Sequence, residues 1–122
     1  MIRVLLVDAD EALRETLGEA LDAWDDIEVV AEAGDGRVAC GAVKALNPDV
    51  VLLGVRTPGV PSPELAAWLA AQYPAVRVLG LARPGDAELA GALGRAGALA
   101  VLPADGPASL VADAILGAVV AG

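Results

Sequence analysis

The chain contains no histidine and no phenylalanine, and only one cysteine, Cys40, in 122 residues. Without histidine it lacks the commonest metal ligand and the commonest general base near neutral pH. A lone cysteine excludes an internal disulfide and fits a reducing, cytoplasmic setting. Aromatic residues amount to only 2% of the chain. Positive charge is also scarce. Eight Lys and Arg face seventeen Asp and Glu, a net charge of −9 that argues against direct contact with DNA or an anionic membrane. No apolar run approaches the roughly 18 residues of a membrane span, and the first apolar strand begins at Ile2, leaving no room for a secretory signal.

Apolar residues are abundant, 57% of the chain, and they alternate between two periods. The short run Ile2–Val7 is followed by Leu13, Leu17, Leu21 and Trp24 at helical spacing. Ile27–Ala31 reads as a strand and Arg37–Leu46 as a helix. Val50–Leu53 are four apolar residues in succession, the mark of a strand buried on both faces. Pro63–Gln72 then reads as a helix with Leu65, Trp68 and Leu69 on one face, Val76–Leu81 as a strand, Asp86–Ala96 as a helix, Leu99–Leu102 as a strand, and Pro107 onward as a closing helix. Five βα units joined by short loops predict one α/β domain over residues 1–122, with a parallel, right-handed sheet. Asp10, Ser62 followed by Pro63, and Asp86 stand where helix N-caps belong, with Asp105 similarly ahead of Pro107; Gly97 stands where a helix ends.

The segment Pro48–Gly59, a buried strand running into Thr57-Pro58-Gly59, and the run Ala96-Gly97-Ala98 resemble a bacterial response-regulator receiver domain. The resemblance covers almost all of the chain. It implies a flavodoxin-like (βα)5 doubly wound sheet with strand order 2-1-3-4-5, which brings the ends of strands one and three together at the crevice where such folds place their sites. Receiver chemistry there uses two acids after strand one to hold Mg²⁺, an aspartate after strand three to take the phosphoryl group, a hydroxyl after strand four and a lysine after strand five. Carried onto this chain, the acid pair falls on Asp8 and Ala9, the acceptor on Gly54, the hydroxyl on Ala82 and the lysine on Ala104; the aromatic switch position falls on Val101. Of the reactive set only Asp8 remains. The resemblance therefore implies a pseudo-receiver with a vestigial pocket (Asp8, Ala9, Asp10, Gly54, Ala82, Ala104), no phosphoacceptor, no catalytic residue, no bound metal and no cofactor.

Several features stay open at this level. Asp8 and Asp10 read as a residual cation site, a displaced acceptor or, as favoured, a helix cap beside a solvated or backbone-bonded relic. Arg56 and Arg83 read as anion ligands or, as favoured, as ordinary exposed loop arginines, with Asp86 placed to oppose an anion. Beyond Pro107, Asp113 is the only charged residue, and Leu110, Val111, Ile115, Leu116, Val119 and Val120 run around the helix, pointing to an interface. Gly91 and Gly94 in the fourth helix imply either close packing or mobility. By the resemblance, with its ending near Ala121-Gly122, the chain is expected to precede a helix-turn-helix output domain and to regulate it as a homodimer. The alternatives are a metabolite sensor using the emptied pocket and a stand-alone adaptor.

Overall fold

The computed structural model describes residues 1–121; Gly122, the end of the closing segment, lies outside the described residues. Five strands and five helices alternate: β1 (Ile2–Val7), α1 (Glu11–Leu21), β2 (Ile27–Ala33), α2 (Gly36–Leu46), β3 (Val50–Gly54), α3 (Ser62–Gln72), β4 (Arg77–Ala82), α4 (Ala87–Arg95), β5 (Ala100–Pro103) and α5 (Ala108–Ala121). The sheet is parallel throughout and its order is β2-β1-β3-β4-β5, as the resemblance implied. It is a flavodoxin-like α/β fold.

The double-sided burial of β1 and β3 organises the layers. Alternate side chains of a strand point to opposite faces. Val4, Leu6, Val50 and Leu52 therefore join a core with Leu17 and Leu21 of α1 and Val111 and Ile115 of α5. Leu5, Val7, Val51 and Leu53 join a second core with Ala39 and Val43 of α2, Leu65 and Leu69 of α3, and Leu93 of α4. In-register pairing of Val7 with Leu53 sets the ends of β1 and β3 side by side.

Helix ends match the expectations unevenly. Asp10 does cap α1, its carboxylate accepting the Leu13 N–H at 3.2 Å. Asp35 caps α2, accepting from the Arg37 and Val38 amides. Ser62 does not cap α3: it is the first helical residue, and its hydroxyl donates to the Val55 carbonyl at 2.8 Å. Asp86 stands at the cap position of α4 without capping it, because its carboxylate is taken up by two arginine residues. Gly97 adopts φ +126°, the positive-φ region the sequence reading required of it.

The closing helix corrects the interface expectation. Val111 and Ile115 are buried in the core beside α1, with Ala112 and Ala118 on the same stripe, so neither is available to a partner. Their spacing of three and four residues puts them on the sheet-facing side of α5. Leu116 is half-buried against the same core. Of the six residues, Leu110, Val119 and Val120 face solvent, at 46%, 40% and 88% exposure.

Two glycines give opposite expectations. A Cβ on Gly36 would stand 2.6 Å from the Val60 carbonyl oxygen and 2.8 Å from its amide nitrogen, a collision with backbone that no side-chain rotation relieves. At Gly94, by contrast, a Cβ would meet nothing within 4 Å, so close packing is not the reason for that glycine. Gly36→Ala should destabilise the domain by about 1–3 kcal/mol through overpacking. Gly94→Ala should stabilise it by about 0.5–1 kcal/mol through helix propensity. Denaturant unfolding of the two variants beside the parent checks both signs.

Candidate functional site

The C-terminal rim of the sheet gathers Asp8 after β1, Gly54 at the end of β3, Arg56 and Thr57 in the β3–α3 loop, and Arg83 and Asp86 in the β4–α4 loop. Asp8 is 3% exposed. Its amide donates to the Ala33 carbonyl, and one carboxylate oxygen accepts the Asp10 amide at 2.9 Å. Arg14 of α1 donates to the Asp8 carbonyl at 3.2 Å and lies 3.3 Å from Glu32, tying α1 to β2 behind the rim. These bonds aim the Asp8 side chain across the crevice toward β3.

Gly54 lies directly beneath that carboxylate. A Cβ there would come within 2.5 Å of Asp8 Oδ2 and 3.0 Å of its Cγ. The space where a larger residue at position 54 would begin is thus already filled by Asp8. The Gly54 carbonyl accepts the Thr57 hydroxyl at 2.6 Å and the Thr57 amide at 3.2 Å, closing a tight turn over Val55 and Arg56. Gly59, at φ +84°, completes the loop against α2, where the Gly36 amide donates to the Pro58 carbonyl.

Arg83 turns back from β4 over the end of β1. Its Nη2 lies 3.3 Å from Asp8 Oδ1 and 3.6 Å from Asp10 Oδ2, and Nη1 lies 3.5 Å from Asp8 Oδ2. Asp8 is therefore neither a solvated nor a merely backbone-bonded relic, and Arg83 is not an ordinary exposed loop arginine. The buried Asp8 carboxylate is thus paired with a partly exposed guanidinium at the mouth of the crevice. Arg56 is paired as well: its Nε donates to Asp86 Oδ1 at 2.6 Å, while the Arg83 amide donates to Asp86 Oδ2 at 3.0 Å. Instead of opposing an anion beside Arg56, Asp86 consumes the charge of Arg56. Nothing in the strand pattern announces either pair. The available signal was the lack of a lysine near Ala104, which leaves Arg83 and Arg56 as the cations in the loops at this rim.

Ala82 and Ala104 are brought together, the Ala104 amide donating to the Ala82 carbonyl at 2.8 Å, but their methyl groups offer no polar contact. Ala9 is exposed beside Asp10. The Mg²⁺ that receiver chemistry uses does not fit this set. Octahedral coordination asks for several oxygens around one point, whereas Asp8 and Asp10 converge on the guanidinium of Arg83. Among the described residues no cluster of three or more His, Cys, Asp or Glu could hold a metal ion. The cavity bounded by Asp8, Ala9, Asp10, Arg56 and Arg83 is about 210 Å³. An adjoining cavity lined by Ala82, Arg83, Asp86 and Val101 is about 420 Å³, within the roughly 300–1,000 Å³ of small-molecule pockets.

The Arg83 amide, then the Arg56 guanidinium, holds the Asp86 carboxyl below its ordinary value of 3.8. A lowered native value means that Asp86 stabilises the fold above pH 3.8 and loses that contribution as the pH falls further. Asp86→Asn should therefore be less stable than the parent near neutral pH, with the gap narrowing below pH 3.8. Unfolding both proteins across a pH series measures it.

Comparison with known proteins agrees with this architecture. Residues 4–112 match the response regulator receiver domain family. The chain is 34% identical over 115 residues to the transcriptional regulatory protein LiaR of Bacillus subtilis, covering 94% of this chain and 54% of LiaR. It is 39% identical over 79 residues to the DNA-binding transcriptional activator DevR/DosR of Mycobacterium tuberculosis, covering 65% and 36% of the two chains. The receiver domain of the response regulator NarL from M. tuberculosis superposes with a TM-score of 0.85 at 30% identity, covering 95% and 97%. That of CheB from Thermotoga maritima superposes with a TM-score of 0.83 at 26% identity, covering 98% and 96%. The chain spans about half the length, or less, of the curated relatives it matches. With its strand order, its crevice at the ends of β1 and β3 and a match over residues 4–112, the chain belongs to the response regulator receiver domain family.

Proposed function

We propose that this receiver domain signals without phosphorylation, as a dimerising regulatory module for an attached helix-turn-helix output domain. The observation that carries the reading is Gly54, at the acceptor position of the family pattern, with the Asp8 carboxylate lying in the space above it. A phosphoryl group adds about −1.5 to −2 charge and needs cationic and hydroxyl partners. Ala9, Ala82 and Ala104 offer none of the partners the family pattern expects at those positions, and Arg83 is engaged by Asp8 and Asp10. The output domain is supported by the relatives named as transcriptional regulators, LiaR and DevR/DosR. Contact with DNA belongs to that output domain, because this domain carries net negative charge. No reaction is assigned to the domain itself. The metabolite-sensing alternative is not favoured, since both arginines at the rim are already paired, Arg83 with Asp8 and Asp10 and Arg56 with Asp86.

The dimer reading rests on the solvent-facing apolar residues of α5, Leu110, Val119 and Val120. Leu110 stands in the first turn of this 14-residue helix and Val119 and Val120 near its end, and a second copy covering them would remove that apolar surface from water. A Leu110→Asp, Val120→Asp double variant should shift the chain from dimer to monomer in size-exclusion chromatography with light scattering. A monomeric parent would remove the dimer from the proposal.

Phosphate chemistry gives the central test. Incubated with labelled acetyl phosphate and Mg²⁺, the folded chain should incorporate no stable label, and beryllofluoride should leave its mass and spectrum unchanged. Gly54→Asp alone should also stay unlabelled, because the new side chain meets Asp8 and still lacks partners at positions 9, 82 and 104. Stable labelling of the parent chain would overturn the reading.

A further inference from the structure

The loss of an acceptor at position 54 does not by itself call for an arginine at position 83. Yet Arg83 crosses from β4 to the end of β1, 75 residues away in sequence, and sets its guanidinium between the carboxylates of Asp8 and Asp10. In the same loop, the Arg83 amide and the Arg56 side chain both hold Asp86. The β4–α4 loop is therefore clasped twice, to β1 through Asp8 and to the β3–α3 loop through Asp86. Arginine keeps its charge at every accessible pH, and its planar fork can engage both oxygens of a carboxylate. Being covalently attached, it faces Asp8 and Asp10 at a high effective concentration, which a free divalent ion must outcompete.

We propose that Arg83 is a tethered counter-ion that closes the Asp8–Asp10 pair to divalent cations and holds the β4–α4 loop in a single position. The inference rests on the phosphate-independent reading of the preceding subsection and adds to it what keeps the rim in one state. In receivers with an intact pocket, the cation and the phosphoryl group arrive and leave; here the positive charge is part of the chain. Arg56 strengthens the clasp from outside, with a side chain 63% exposed and correspondingly sensitive to salt.

The test uses the ¹⁵N-labelled chain, with Mn²⁺ as a paramagnetic probe and amide exchange as a separate readout. In the parent, Mn²⁺ should leave the Asp8, Ala9 and Asp10 amide signals no more broadened than those at the far end of the sheet. In Arg83→Gln, those three signals should broaden selectively, at a Mn²⁺ concentration at least about tenfold lower than any broadening in the parent. Exchange of the Arg83 and Asp86 amides should also accelerate by about tenfold or more. Arg77→Gln, at the opposite end of β4, should behave as the parent. Equal broadening in the parent and Arg83→Gln, or unchanged exchange, overturns the proposal. Should Arg83→Gln lose its spectral dispersion, Arg83→Lys decides instead: keeping the charge without the fork, it should still exclude Mn²⁺, and admission there is a refutation. Uptake of phosphate label by the parent would count against the earlier reading alone, so the two failures are distinguishable.

Discussion

Buried at the end of a strand covered on both faces, the Asp8 carboxylate depends on three neighbours for its place. The Asp10 amide donates to it, Arg83 faces both of its oxygens, and the missing side chain of Gly54 leaves it room. Withdrawal of any one of these alters the others. A side chain at position 54 would displace the carboxylate from its cation, and loss of the cation would leave a buried charge unpaired. The rim is therefore a coupled set in which the glycine, the acid and the arginine make sense only together.

That set sits on a scaffold of ordinary hydrophobic design. Four strand positions on each face of β1 and β3 feed two separate cores, one covered by α1 and α5 and the other by α2, α3 and α4. Parallel pairing in register places the strand ends at one edge without any specific contact between the rim residues themselves. The architecture of the family thus survives intact although the polar groups at its edge have changed, because the cores that hold the fold lie below that edge. Fold and chemistry are separable here for a plain physical reason: they draw on different residues.

The legibility of the sequence follows the same division. Periodicity located every strand and helix, since Val50–Leu53 and the Leu13, Leu17, Leu21 series report burial directly. Element ends moved by one to three residues: β2 runs on to Ala33, Trp24 lies beyond the end of α1 at Leu21, and α2 and α4 begin at Gly36 and Ala87, where hydrogen bonding rather than hydropathy sets the limit. Composition along α5 overstated its free apolar surface, because Val111 and Ile115 look the same in sequence whether they face a core or a partner. The ion pairs were the least legible. Asp8 and Arg83 are 75 positions apart, and only the sheet order brings them together. Ser62 and Asp86 show the same limit locally: each stands where a cap belongs, and each is claimed by a bond from elsewhere in the fold.

The leaning of Asp8 over Gly54 also makes one strand end answerable to another. A Cβ added at position 54 would meet the terminal oxygen of the Asp8 side chain, so the carboxylate must turn aside before anything larger fits, and turning it disturbs its contact with Arg83. Bulk at the end of β3 thus tunes the charge pairing between β1 and the loop after β4.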